Sequence, residues 1–316
     1  MPDYAVTEEP LQFGLAGRLF AILSLPSAPA ANAGALPIFV FLTAGLLHRI
    51  GPNRLHVHLA RELARLGCSS LRVDLAGTGD SPRRPGLTYQ QSVAADFEEI
   101  LEVIDSRLGG FPLVLVGLCS GADNATRLAP REPRVVGMIL LDPICYPDRG
   151  ITGFKARELA AKYRNPARYA GWLKRQLERR RLSQTKESTS QNFNPLSISD
   201  LPTLEQQQAV FEAMQARGGR VLSIFTRYSL GYYNKVGQLG RSLGVNGYEQ
   251  FCTELFWPNV DHTYSLELHR RRLAQVVKSW TEAGIARSGA GLVASCSRSS
   301  HRESALIQRD NESISP

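Results

Sequence analysis

Leu113-Val114-Leu115-Val116 is a run of branched aliphatics, and Gly117-Leu118-Cys119-Ser120-Gly121 interrupts it before a helical stretch from Ala122 to Leu128. A short apolar run of this kind reads as a buried strand. Gly-x-Cys-x-Gly between a strand and a helix leaves the chain few options. The direction must reverse within about one residue, and a Cβ on either flank would collide with the neighbouring strand or helix. Gly117 and Gly121 meet that requirement. Such a turn presents Cys119 at a helix N-terminus, where unpaired N–H groups and the helix dipole favour a thiolate and can bind a developing oxyanion. An inert, buried cysteine in a glycine-flanked turn is the competing reading. The strand before it, the helix after it and the partners further along the chain favour a nucleophile.

Around this turn, apolar runs alternate with amphipathic stretches. Leu11 to Pro26 alternates about Gly14 and Gly17 and reads as an opening hairpin, and Pro37 to Thr43 as a central strand. Leu55, Leu59, Leu63 and Leu66 recur at helical spacing, with Gly67 placed to end that helix. Ser69 to Leu75 is the next strand, closed by a turn at Gly77 to Ser81. Thr88 with Gln91 matches a capping box for a helix to Leu108, with Val93, Phe97, Ile100, Leu101 and Ile104 on its apolar face. Arg134 to Asp142, Arg220 to Thr226 and Phe251 to Trp257 read as strands, and Leu204 to Ala216 as a helix. Ser265 to Ala283 reads as a closing helix with Leu266, Leu273, Val276, Val277 and Trp280 inward. Strands alternating with helices predict an α/β class, a mostly parallel sheet with helices on both faces. The reading is one domain over 1–284, with a helical insertion at about 147–202 and a disordered tail at 285–316.

Charge and cysteine usage narrow the partners. The net charge is +8, but twelve Lys or Arg against three Glu fall between Arg149 and Ser188, so that segment carries +9 and the rest sums to −1. Without a nucleic-acid reader motif, such a stretch predicts a solvated helix face rather than a nucleic-acid partner. It emerges after a strand, at the end of the sheet where ligands bind, and so reads as a lid favouring an anionic small-molecule or carrier-bound acyl substrate. No window is apolar over the length of a membrane span, and the polar, acidic N-terminus lacks a signal-peptide layout, so a cytoplasmic location is expected. The five cysteines are scattered, without CxxC or metal-ligand spacing, so neither a disulfide framework nor a metal is expected. Gly77-Thr78-Gly79 lacks the third glycine and helix start of a dinucleotide loop, and no cofactor is expected.

LTAGLLHRIGPNR, RVDLAGTGDS, VGLCSGAD, ILLDP and VDHTYSL together resemble the α/β-hydrolase superfamily. More narrowly, they are similar to hydrolase-like proteins associated with bacterial exosortase and exopolysaccharide gene clusters, a serine-aminopeptidase-like group. The resemblance covers about Leu11 to Ala283 and implies the α/β-hydrolase fold. It also implies an elbow nucleophile at Cys119 and a general base at His262, which lies between the last strand and the closing helix. In the commonest layout the orienting acid follows the strand Arg220 to Thr226, but Arg227 to Asn234 contains none. Asp142, at the end of the preceding strand, is the replacement, and Asp123, one helical turn after Cys119, is the rival; Asp261 adjoins His262 and should point away from it. The oxyanion hole falls to the N–H of Ser120 and, by alignment with the superfamily's loop, to that of Leu46. His48, Arg49 and Arg54 cluster just beyond, either to hold a substrate carboxylate or phosphate or to anchor the loop.

These residues point to a hydrolase of carboxylic esters or thioesters acting through an acyl-cysteine. The cysteine elbow is similar to that of dienelactone hydrolases. An acyltransferase using the same acyl-enzyme and a non-catalytic binding protein on a retained fold are the alternatives. Aminopeptidase activity does not follow from the name of the group.

Overall fold

A computed structural model describes residues 6–27, 36–45, 47–146 and 201–290, and one sheet organises them. Its strands are β1 (Val6–Phe13), β2 (Leu19–Pro26), β3 (Ile38–Leu42), β4 (Ser70–Asp74), β5 (Leu113–Leu118), β6 (Val135–Leu141), β7 (Arg220–Thr226) and β8 (Cys252–Trp257). Their order across the sheet is β1-β2-β4-β3-β5-β6-β7-β8. The β1–β2 hairpin pairs antiparallel with β4, and every pairing from β4 to β8 is parallel. This is the α/β-hydrolase arrangement that the resemblance implies.

The helices are α1 (Leu55–Arg65), α2 (Tyr89–Arg107), α3 (Ser120–Leu128), α4 (Leu204–Ala216), α5 (Gln238–Leu243), α6 (Tyr248–Phe251) and α7 (Glu267–Ala290). Successive strand residues point to opposite faces, so the continuous apolar runs of the inner strands feed two layers of core. Ile38, Val40 and Leu42 of β3 join Phe97 and Ile100 of α2, Ala125 of α3 and Phe211 of α4. Phe39 and Phe41 face the other way, onto Leu55, Leu59 and Leu63 of α1 and Leu273, Val277 and Trp280 of α7. Each large apolar side chain buried in this way contributes about 1.5–3 kcal/mol relative to exposure. Arg72 of β4, 3% exposed, is paired across the sheet with Glu8 of β1 at 2.7 Å.

Local signals placed most of these elements. Thr88 and Gln91 form both hydrogen bonds of the expected capping box, and Thr203 with Gln206 forms another at the start of α4. The turn after β4 is structural, as its sequence suggests: a Cβ on Gly79 would run into the Asp74 carboxylate. Two features differ from the sequence reading. The closing helix starts at Glu267 and runs to Ala290, and Leu266, assigned to its inner face, precedes it and is 58% exposed. The short helices α5 and α6 were not anticipated. They are held by long-range contacts: Glu254 of β8 accepts from the N–H of Leu239 in α5 at 3.2 Å, and Tyr248 of α6 stacks on Phe211 of α4 at 6.1 Å between ring centroids. Almost all of the insertion at 147–202, and the tail beyond Ala290, lie outside the described residues.

The direction of winding reverses at β3, with β4 on one side and β5 on the other. The carboxyl ends of strands flanking such a reversal are where open α/β sheets bind ligands. Cys119 follows the last residue of β5.

Candidate active site

The turn from β5 to α3 has the geometry that its glycines require. Cys119 sits at φ 54°, ψ −122°, a conformation sparsely populated by residues other than glycine and retained only where the surroundings enforce it. Its N–H donates to the Leu141 carbonyl at 2.8 Å, and its own carbonyl accepts from Ala122 N at 2.8 Å and Asp123 N at 3.1 Å. A Cβ at position 117 would strike the backbone of Gly121 and Ala122; one at position 121 would lie 2.7 Å from the Leu42 carbonyl oxygen. The two glycines thus let helix, elbow and β3 close on one another. Cys119 is half-buried, whereas Cys68, Cys145 and Cys252 are buried, and burial pushes the Cys68 thiol up to about 12.

Of the two candidate acids, Asp142 meets the histidine. Its carboxylate is fully buried, and Oδ2 lies 2.7 Å from His262 Nδ1. Because a carboxylate accepts, Nδ1 carries the hydrogen and Nε2 is left for Cys119, which lies near enough to help raise the ring. Asp142 Oδ1 also accepts from the backbone N–H of Thr226 at 2.6 Å and Ser229 Oγ at 2.6 Å, and Oδ2 accepts from Thr226 Oγ1 at 2.7 Å. Asp142 itself has φ 48°, a strain the surrounding bonds hold in place. His262 is raised to about 9: desolvation opposes the rise, but hydrogen bonds to Asp142 and Cys119 and the charge on both outweigh it.

Asp123 is placed elsewhere. Its Oδ1 accepts the N–H of Ile144 at 3.3 Å, and burial, opposed by that bond and by Arg127, raises its carboxyl to about 6. Asp261 is also turned away from His262, as its position in the chain suggests. It accepts from the N–H and hydroxyl groups of Thr263 and Ser265 at 2.7–3.2 Å. Burial opposes the effect, but these bonds lower its carboxyl to about 2 and brace the loop that carries His262.

Of the expected oxyanion donors, Ser120 begins α3 at the elbow, and Leu46 lies outside the described residues. The two loops are joined next to them: Ser120 Oγ accepts the N–H of Gly45 at 2.7 Å. Arg49 anchors its loop. Its guanidinium pairs with the buried Asp74 and, at 2.7 Å, with Asp80, and its backbone N–H donates to Asp74 at 2.5 Å. His48 and Arg54 are exposed. Among the described residues, no group of three or more His, Cys, Asp or Glu side chains is placed to hold a metal ion, and no helix is long and apolar enough to cross a membrane.

Sequence reasoning missed the residues that replace the absent acid after β7. Thr226 and Ser229 donate to Asp142 from that loop, and between them Tyr228 stacks on His262, ring centroids 4.0 Å apart at 24°. The empty acid position was the available signal: a buried acid brought in from β6 needs donors, and a Thr-x-x-Ser segment can supply them.

The fold has counterparts among known proteins. Residues 45–217, more than half of the chain, match the family described as serine aminopeptidase, S33. No curated protein matches the sequence. Among solved structures, an esterase from Pyrococcus furiosus aligns over 89% of this chain and 91% of its own, at 11% identity and a TM-score of 0.53. Est1E from Butyrivibrio proteoclasticus aligns over 88% of this chain and 99% of its own, at 15% identity and a TM-score of 0.50. At such identities these structures share the fold with this chain.

Proposed function

Since the chain belongs to the serine aminopeptidase S33 family of α/β-hydrolases, we propose that it is a hydrolase of carboxylic esters or thioesters that works through an acyl-cysteine on Cys119. One observation carries this reading: His262 is held at 2.7 Å by the buried Asp142 carboxylate and raised in part by the neighbouring Cys119, which sits on a strained elbow. The family name specifies a serine, and here a cysteine takes that position.

In the proposed cycle the proton rests on His262 across neutral pH, and the Cys119 sulfur attacks the acyl carbonyl. The oxyanion that forms is met by the N–H of Ser120 and by the loop at Gly45. Collapse breaks the bond to the leaving alkoxide or thiolate, which takes the His262 proton, and leaves a thioester on Cys119. Water then gives a proton to His262 as its oxygen attacks the thioester, and collapse releases the acid and restores the sulfur–imidazole pair. Asp142 holds the ring and stabilises its charge throughout, in the manner of the acid in a catalytic triad.

The finer expectations belong to the same reading. Leu46 would supply the second oxyanion donor. His48 and Arg54 remain available to an anionic substrate, whereas Arg49 is engaged by Asp74 and Asp80. Support for an insertion at 147–202 within a domain at 1–284 comes from its ends, since Tyr146 Oη donates to the Pro202 carbonyl. The link to exosortase and exopolysaccharide clusters is supported by the motifs quoted above.

The test is a series of activated acyl esters and acyl thioesters followed by intact mass. A transient acyl adduct on Cys119, absent in Cys119→Ala together with turnover, is the expected result. Turnover that persists in Cys119→Ala would remove the acyl-cysteine. Including sugar alcohols as acceptors separates hydrolysis from transfer.

A further inference from the structure

We propose that Tyr228 is a working member of this site: its ring holds the His262 imidazole in line and its hydroxyl donates a hydrogen bond to the Cys119 sulfur. The proposal rests on the cysteine-hydrolase reading above and adds a residue to it.

The ring stack is the geometric foundation. The Tyr228 and His262 rings lie centroid to centroid at 4.0 Å and 24° from parallel, close to face-to-face stacking. An imidazolium against a phenol face is attracted by the ring quadrupole, and the stack also blocks rotation about the one bond that the Asp142 hydrogen bond leaves soft. The Tyr228 phenol also lies near Cys119, whose charge is the largest cause raising it, so its hydroxyl is within reach of turning toward the sulfur. A phenol can only donate to a thiolate, and its acidity agrees: the Cys119 charge, then burial, Asp142 and Asp123 all raise Tyr228 above an ordinary tyrosine, so it stays protonated. The backbone is placed as deliberately, with Tyr228 N donating to Thr226 Oγ1 at 3.3 Å while that hydroxyl donates to Asp142. At 55% exposure, a tyrosine set in this way is not there to fill the core.

No proton or electron is transferred by Tyr228. When Cys119 is acylated its sulfur loses the charge that accepted the hydrogen bond, and the hydroxyl becomes free to donate to the departing or entering oxygen.

Alkylation of Cys119 by iodoacetamide across pH, read by peptide mass, tests the idea without knowledge of the substrate. A hydrogen bond to a charged group is worth enough to move the midpoint by about one pH unit. Tyr228→Phe should raise the midpoint by that amount while keeping the stack. Tyr228→Ala should raise it at least as far and abolish the ring-current shift of the His262 ring protons in NMR, which Tyr228→Phe retains. Esterase kcat should fall about tenfold in Tyr228→Phe and further in Tyr228→Ala. Unchanged midpoints in both variants, with a reactive wild-type Cys119, overturn the role of Tyr228 and leave the hydrolase reading intact. A wild-type Cys119 no more reactive than a free thiol overturns both.

Discussion

His262 Nδ1 lies 2.7 Å from Asp142 Oδ2 across 120 residues of chain, although the commonest layout of this fold places the acid after β7. The contact survives the relocation because β6 and β7 are adjacent and parallel. An acid at the end of one strand reaches the same point as an acid at the end of the next, provided that the loop after β7 satisfies its remaining lone pairs. Thr226 and Ser229 do this. Asp142→Asn should therefore lower kcat/KM by about 10²–10⁴-fold with the fold retained by circular dichroism. A variant with near wild-type turnover would remove Asp142 from the mechanism.

The titration of His262 gives a pH dependence of defined sign. Its folded value of about 9 lies above the ordinary imidazole value of 6.5, so the stability that it contributes is fully present below about 6.5 and is lost as pH rises through 9. The difference in Tm between wild type and His262→Gln should be largest near pH 6 and should shrink by pH 10. Acylation rate, measured by stopped flow, should fall above pH 9 as the proton needed by the leaving group is lost. A difference in Tm that grows with pH would contradict the assignment.

Asp123 should behave in the opposite way to Asp142 under the same replacement. Burial holds its carboxyl at about 6, so the folded state binds a proton that the unfolded state releases, and its contribution to stability is lost as pH rises through 6. Asp123→Asn keeps an acceptor for the N–H of Ile144 and removes the cost of a buried charge. It should stabilise the protein at pH 8 by roughly 2 kcal/mol, show little effect at pH 4 and leave turnover within a few-fold of wild type. Chemical denaturation at the two pH values checks this, and a large loss of turnover would return the orienting role to Asp123.

The elbow glycines make a structural prediction. A methyl group at position 117 meets the backbone of Gly121 and Ala122, which cannot move without parting α3 from the sheet. Gly117→Ala should destabilise by about 2–4 kcal/mol and misplace Cys119, slowing its alkylation. Gly86→Ala is the control, since nothing lies within 4 Å of the added atom. Its positive φ of 77° confines the cost there to backbone strain, about 1 kcal/mol.

Much of this protein is written locally. Strand runs, helical spacings and the Thr88–Gln91 cap are read within a few residues, because period and capping are properties of short segments. Gly117 and Gly121 identify the elbow for the same reason, their partners being each other and the adjoining strand. The chain order then places His262 after the last strand. What sequence could not decide was which acid meets that histidine, since Asp142, Asp123 and Asp261 are all short carboxylates near loops. The decision lies in contacts across 84 to 120 residues, where Thr226, Ser229 and His262 converge on one carboxylate. Tyr228 and the helix α5 were hidden likewise: stacking on His262 and capping by Glu254 exist only once the parallel sheet has brought β7 and β8 together. Local pattern determined the frame and the elbow. Tertiary structure alone decided the company they keep, because a hydrogen bond or a ring stack depends on distance in space and leaves no period in the chain.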